Sequence, residues 1–77
     1  MYSMEKMEEI KLLNQFQLES ASVGIKVHAQ QATKAVIAAA KRLHEKGLTD
    51  QIDGGYLTER GIIAANHAQS LIRLLNE

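Results

Sequence analysis

The chain contains no cysteine, no proline and no tryptophan, and only three of its 77 residues are aromatic. Without cysteine, a disulfide framework, a thiolate metal site and a cysteine nucleophile are all excluded. Without proline or any low-complexity run, the sequence offers no candidate linker between domains. A chain of this length is sufficient for one domain, so we expect a single domain over residues 1–77.

A long hydrophobic run is also missing. No stretch of about 18 apolar residues occurs, and the first residues, MYSMEKMEE, are acidic where a secretory signal is basic and then apolar. We therefore expect a soluble, cytoplasmic protein with no membrane partner. The lack of cysteine agrees with a reducing compartment.

Neither sign of charge predominates, since the formal net charge is zero, which argues against an indiscriminate polyanion binder. The charges are unevenly placed, however. Residues 26–46 carry five basic side chains and one acidic one, a net charge of +4, whereas residues 1–25 and residues 47–77 each carry a net charge of −2. The basic segment is either a nucleic-acid-binding surface or an ordinary solvated helix face.

Residues that carry out chemistry in enzymes are present but not grouped. His28, His44 and His67 lack the i, i+4 spacing of a helical metal site, so we expect no metal and no cofactor. We expect His44 in the core and His67 on a helix surface or an interface. Asp50 and Asp53 lie on a hairpin too small to wall a cavity, and no serine or threonine lies in a nucleophile motif. Because so short a chain cannot enclose a sizeable pocket, we predict that the protein is not an enzyme.

Hydrophobic periodicity and capping residues predict three helices. They cover residues 4–16, 33–46 and 59–76, with Ser3, Thr33 and Thr58 as their N-caps. The predicted core stripes are Met7, Ile10, Leu13 and Phe16 in the first helix, Val36, Ile37, Ala40, Leu43 and His44 in the second, and Gly61, Ala64, Ala65, Ala68, Leu71, Ile72 and Leu75 in the last.

Glycines punctuate the segment between the second and the last helix. Gly47 suits a helix C-cap, which favours positive φ. Gly54 and Gly55 suit the centre of a two-residue hairpin turn, where both residues need positive φ. The alternation of apolar residues over 24–28 predicts a further short strand, which would add to the hairpin and make a three-stranded sheet.

The hairpin register follows from where the turn is centred. Centring it on the two glycines places Asp53 opposite Tyr56 and Ile52 opposite Leu57, so that two apolar side chains share one face of the sheet. Centring it one residue earlier would place Asp50 opposite Leu57. We therefore predict the first register.

The order of these elements resembles the second half of winged-helix DNA-binding domains. A helix, KGL, a short strand, DGGY and an LT-x-x-G helix start follow one another, as a recognition helix, strand, wing and final helix do in that class. Over its whole length, through the segments GIKVH, VIAAAKRLHEKGL and DGGYLTERG, the chain is also similar to a family of short, uncharacterised bacterial proteins that automatic naming calls DNA-binding proteins. The resemblance implies an α+β, mostly helical, winged-helix-like fold in the order helix, strand, helix, β-hairpin, helix.

The sequence departs from that class before the recognition helix. A helix-turn-helix needs two helices, one across the backbone and one in the groove of DNA. Only about one turn fits between the strand at 24–28 and the helix at 33–46. Residues 28–32 or residues 19–23 are the two segments from which a second helix can come.

If residues 33–46 form the recognition helix, the candidate DNA contacts lie on and just before it. They are Lys26, Gln30, Gln31, Lys34, Lys41 and Arg42. Glutamine pairs in two points with adenine and arginine with guanine, whereas lysine more often binds phosphate. The hairpin tip is acidic, which opposes contact between this wing and a phosphate backbone.

The last helix carries more apolar surface than one small domain needs to cover. Ile62, Ile63 and Leu74 lie off its core stripe, so we predict a homodimer through this helix, with Ala68, Leu71, Ile72 and Leu75 at the interface. Alternatively, the extra residues cover the protomer's own first helix.

Two functional hypotheses remain at this point. The first is a small dimeric winged-helix DNA-binding protein, a candidate transcriptional regulator whose partner is double-stranded DNA. The second is a protein–protein interaction module on the same fold, without DNA binding. The basic segment favours the first hypothesis, while the acidic hairpin and the neutral net charge favour the second.

Overall fold

The computed structural model describes residues 3–19, 23–28 and 30–77. It has three helices, α1 (Met4–Leu13), α2 (Lys34–Glu45) and α3 (Glu59–Leu75), and three strands, β1 (Ile25–Lys26), β2 (Thr49–Gln51) and β3 (Gly54–Leu57). Along the chain the order is α1, β1, α2, β2, β3, α3. This mostly helical α+β arrangement confirms the winged-helix-like order predicted from the sequence.

All three helices begin at the residue predicted to cap them. The side-chain oxygens of Ser3, Thr33 and Thr58 each accept a hydrogen bond from the backbone N–H three residues later, at 3.2, 3.2 and 3.1 Å. Each bond satisfies one of the N–H groups that a helix start leaves without a partner. The α1 helix ends at Leu13 rather than at residue 16, because the next three residues tighten into a turn.

The core lies where α1 packs against α2 and α3. Its buried side chains are Leu12, Leu13, Ala39, Ala40, Leu43, Ala65 and Ala68, and Phe16 is buried as well. Four of these residues are alanines on α2 and α3, and their small side chains leave room for the larger Leu12, Leu13 and Leu43. No helix within the described residues is both long and apolar enough to cross a membrane.

Four residues from the predicted core stripes are exposed instead: Met7, His44, Leu71 and Leu75. The ring of His44 lies at the end of α2, with Nδ1 3.2 Å from the carbonyl oxygen of Thr49. Leu71 and Leu75 lie in the last turns of α3, after the residue that contacts the end of α1. The side chain of Gln69 already contacts that end, donating to the carbonyl oxygens of residues 13 and 16 at 3.2 and 2.7 Å.

The antiparallel sheet has the strand order β1, β3, β2, which confirms that residues 24–28 add a strand to the hairpin. The predicted hairpin register, however, is wrong. Thr49 pairs with Leu57 and Gln51 pairs with Gly54, so the two turn residues lie before the glycines and not on them. Leu57 therefore faces Thr49, and Ile52 is exposed at the turn.

The physical reason lies in the third strand. Gly54 and Gly55 do have positive φ, +117° and +74°, as predicted. They use it inside β3, where the pairing with β2 shifts register and where both glycines pair with β1. A Cβ on Gly54 would lie 2.7 Å from the carbonyl oxygen of Ile25, so a side chain here would prevent β1 from docking.

The end of α2 is closed by Gly47, whose φ is +76°. Its N–H donates to the carbonyl of His44, and the N–H of Leu48 donates to that of Leu43, both at 3.0 Å, which is the Schellman pattern. The hydroxyl of Thr58 then donates to the carbonyl of Gly47 at 2.6 Å. This hydrogen bond joins the N-cap of α3, Thr58, to the glycine that follows the C-cap of α2.

A full second helix before α2 is not found in the part of the chain that the structure describes. The N–H groups of Gln31 and Ala32 both donate to the carbonyl of His28 at 2.9 Å, which makes a single turn. Residue 29 of the segment 28–32, and residues 20–22 of the alternative segment 19–23, lie outside the described residues.

Candidate nucleic-acid interface

A groove of about 500 Å³ lies between the hairpin turn, the end of β1 and the outer side of α2. Four of the six residues predicted to contact DNA line it: Lys26, Gln30, Gln31 and Lys41. His28 and Asp53 add further polar side chains, so this hairpin aspartate does line a groove, contrary to the expectation from the sequence; Ile37, Ala40 and Ile52 contribute apolar lining. The groove is thus mostly apolar, with amide, ammonium and carboxylate groups at its polar positions.

Helix α2 presents an exposed face beside this groove. Lys34, Ala38 and Lys41 follow one another at steps of four and three, and all three are exposed. Neither lysine forms a salt bridge with any residue in the described ranges. Ala38 lies between the two lysines in sequence on this face and contributes only a small side chain.

The acidic residues of the hairpin have partners inside the protein. The ammonium of Lys26 forms an ion pair with Asp53, and this hydrogen bond lowers the pKa of the Asp53 carboxyl although desolvation opposes it. One carboxylate oxygen of Asp50 accepts a hydrogen bond from the backbone N–H of Tyr56 at 2.8 Å. The hairpin therefore presents less free negative charge than its sequence indicates, but Lys26 is partly neutralised.

Arg42 does not join the other predicted contacts. Its Nε donates to Glu9 at 2.9 Å, while one Nη donates to the carbonyl oxygen of Glu5 at 3.1 Å and the other lies 3.4 Å from the Glu5 carboxylate. The guanidinium is thus held against α1, so the predicted two-point contact of this arginine with guanine is not presented on the face that carries Lys34 and Lys41.

The carboxylate of Glu9 is the centre of this ion cluster, and sequence reasoning missed it. Glu9 is buried between α1 and α2 and binds both Arg42 and Lys46. Burial alone raises the pKa of Glu9, but the hydrogen bonds from Lys46 and Arg42 together outweigh it, so the pKa lies below its ordinary value. In return, the hydrogen bond to Glu9 raises the pKa of Lys46.

The spacing of charged residues in the sequence indicates this ion cluster. Glu5 and Glu9 are four residues apart on α1, and Arg42 and Lys46 are four residues apart on α2. Residues four apart lie on one helix face, so two acids on one helix match two bases on the other. With Lys26 also paired, only Lys34 and Lys41 among the five cations of the basic segment have no carboxylate partner in the described residues.

The residues predicted to form the dimer interface differ in their exposure to solvent. Ala68 is buried in the protomer's own core and is not available to a partner, while Ile72 is half-buried. Leu71 and Leu75 are exposed, as are Ile63 and Leu74. The exposed apolar surface of α3 therefore includes two residues of the predicted stripe, Leu71 and Leu75, together with Ile62, Ile63 and Leu74 beside it.

Within residues 3–19, 23–28 and 30–77, no three histidine, aspartate or glutamate side chains converge so that they could hold a metal ion. The site is instead a largely apolar groove edged by polar side chains, together with a lysine-bearing helix face, on a winged-helix-like α+β domain. The chain belongs to a family of unknown function, DUF5669, whose sequence profile matches residues 1–76. Comparisons with curated proteins and with solved structures found no significant match.

Proposed function

We propose that the protein is a small dimeric winged-helix-type DNA-binding protein without enzymatic activity, a candidate transcriptional regulator. The observation that supports this proposal is the position of Lys26, Gln30, Gln31 and Lys41 along one groove beside the exposed face of α2. In a winged helix, this face enters the major groove and the hairpin lies alongside the duplex.

Each group has a role suited to its chemistry in this proposal. The amides of Gln30 and Gln31, just before the start of α2, each offer a donor and an acceptor to the edge of an adenine. Lys34 and Lys41 bind phosphates on either side and fix the orientation of the helix. With so few unpaired cations on one protomer, binding is weak at physiological salt, and two protomers are needed to raise the affinity.

The test is a titration of the protein with a non-specific DNA duplex at low ionic strength, repeated over a series of salt concentrations. K34E and K41E should each weaken binding several-fold and flatten the plot of log K against log salt by about one phosphate contact per protomer. K11E is the matched control, because Lys11 is an exposed helix lysine on α1, far from the groove in sequence and on another element. If K11E weakens binding as much as K41E does, the contact surface proposed here is wrong.

A second candidate is a protein–protein interaction module on the same fold. The internal pairing of Lys26, Arg42 and Lys46 with carboxylates favours it, since it removes most of the positive potential that DNA would meet. Under this hypothesis the wild-type protein shows no duplex binding even at low salt, and the NMR signals of residues 34 and 41 do not shift on addition of DNA.

A further inference from the structure

Helix α3 carries a second stripe of residues, on the side away from the core. Every member of this stripe is exposed, and the members are Arg60, Ile63, His67, Ser70, Leu74 and, just after the C-cap, Glu77. The steps of three, four, three, four and three are those of the a and d positions in a two-helix seam. The buried residues Gly61, Ala65 and Ala68 lie about 150° away round the helix, taking 3.6 residues per turn. We call these six exposed residues the outer seam.

We propose that the outer seam pairs in antiparallel orientation with the outer seam of a second copy of this chain. In that pairing, Ile63 packs against Leu74 of the second copy, and Leu74 packs against Ile63 of the second copy. His67 lies beside Ser70 of the second copy, where the hydroxyl and the imidazole can share a hydrogen bond. The same patch is used by both protomers, as a two-fold interface requires.

The charges at the ends of the seam specify both the occupant and the direction. The antiparallel register that places Ile63 opposite Leu74 also places Arg60 opposite Glu77 of the second copy. In an antiparallel pair the numbers of facing residues always add up to the same total, and both of these pairs have that total. A parallel pairing would instead place Arg60 against Arg60 and Glu77 against Glu77, which is repulsive at both ends. A seam whose two ends are complementary only to each other fits a second copy of itself.

The two apolar residues of the outer seam, Ile63 and Leu74, are exposed to solvent in a single protomer. Ile63 and Leu74 are 60% and 65% exposed, and Leu71 lies exposed at the edge of the seam on the core side. Exposed apolar surface of this kind is usually covered by a partner. The inference rests on the dimeric part of the proposed function and not on DNA binding.

The first test is sedimentation equilibrium of the full chain over a range of concentrations, without DNA. Wild type should associate to a dimer, and I63E should raise the dimer dissociation constant at least tenfold, because a charge then enters an apolar layer. I62E is a matched control, since Ile62 is the adjacent exposed isoleucine and lies outside the seam. Circular dichroism establishes that both variants fold. A wild type that stays monomeric at every concentration, or an I62E variant that dissociates as much as I63E, overturns the proposal.

Exchanging the end charges tests the antiparallel direction. R60E alone and E77R alone should each weaken the dimer several-fold, because each places like charges opposite one another. The double variant, R60E with E77R, should recover the wild-type dissociation constant, since the pair is then restored in reverse. Failure of the double variant to recover overturns the antiparallel register.

A distance measurement gives the direction independently. Because the chain has no cysteine, E59C introduces a single thiol for a spin label at the start of α3. Antiparallel helices separate the two labels by about 28 Å along the axis, at 1.5 Å per residue, whereas parallel helices bring them to about 10 Å. The shorter distance contradicts the proposal. K34E and K41E should still dimerise, so a loss of DNA binding is distinguishable from a loss of pairing.

Discussion

At the scale of single residues, Glu9 links α1 to α2 through ion pairs with two cations of α2 and its C-cap. E9Q removes the charge but keeps the shape, so Arg42 and Lys46 lose their shared carboxylate. Both cations are partly exposed and can reach water, so the expected loss at pH 7 is about 1–3 kcal/mol rather than the larger cost of a fully buried broken pair. The measurement is urea unfolding of wild type and E9Q. E8Q, which changes a carboxylate on the same helix, is the control and should cost less.

The pH dependence of that difference is a separate prediction. Because the pKa of Glu9 is lower in the folded state than its ordinary value of 4.5, the charged carboxylate contributes its stabilisation fully above that ordinary value. The stabilisation is lost as the pH falls through the lower, folded-state pKa. The gap in unfolding free energy between wild type and E9Q should therefore be constant near pH 7 and narrow below about pH 5. A gap that is the same at pH 3 and pH 7 would show that the charge of Glu9 contributes nothing.

Residues differ in how well the sequence alone predicts their role. Ser3, Thr33 and Thr58 were predictable as caps because each cap bonds to the chain three residues away, which is a local interaction. The roles of Glu9 and Arg42 were harder to predict: the matching spacing of acids on α1 and bases on α2 is visible in the sequence, but whether these residues meet depends on how α1 crosses α2. Arg42, read as an outward DNA contact, is turned inward by a carboxylate 33 positions earlier in the chain.

At the scale of elements, the hairpin depends on the glycines of β3. G54A combines positive φ with a Cβ that would lie 2.7 Å from the carbonyl oxygen of Ile25. G47A meets the positive φ alone, since nothing lies within 4 Å of a Cβ there. We expect G47A to cost about 1–2 kcal/mol and G54A to cost about 1–3 kcal/mol more, because β1 must shift to make room.

Urea unfolding gives the two costs, and hydrogen exchange locates the damage. In G54A the N–H of Val27, which donates to the carbonyl of Asp53 at 2.8 Å, should exchange faster because β1 loosens. In G47A that amide should remain protected. Equal losses of unfolding free energy in the two variants would mean that β1 docks as well against alanine as against glycine at position 54.

The hairpin also shows why the order of elements was easier to predict than their register. Glycine adopts positive φ more readily than other residues, so the positive φ of Gly54 and Gly55 can be predicted from residue type alone. Their location in the strand rather than at the turn follows from pairing with β1, a segment nearly 30 residues earlier in the chain. The prediction that Ile52 and Leu57 share one face of the sheet used only neighbouring residues. The pairing of β3 with the distant strand β1 determines the register instead.

At the scale of the whole molecule, the chain separates two surfaces. The exposed face of α2 carries Lys34 and Lys41, which have no carboxylate partner within the described residues, while the outer seam of α3 carries the exposed apolar side chains of Ile63 and Leu74. The net charge of zero conceals this separation, because acidic residues of α1 and the hairpin neutralise Arg42, Lys46 and Lys26. The sequence indicated both surfaces but assigned individual residues to them less well, as Arg42 and Ala68 show.

A domain of 77 residues buries only about 60% of the surface that its unfolded chain exposes, so its stability as a monomer is marginal. If α3 pairs through its outer seam, folding and association are linked by mass action, and the melting temperature must rise with protein concentration. We expect wild type to melt several degrees higher at tenfold greater concentration, as followed by circular dichroism. I63E should melt at the same temperature at both concentrations, while I62E should retain the dependence. A wild-type melting temperature independent of concentration would mean that the single protomer is stable with Ile63 and Leu74 in water, and the seam would then have no part in folding.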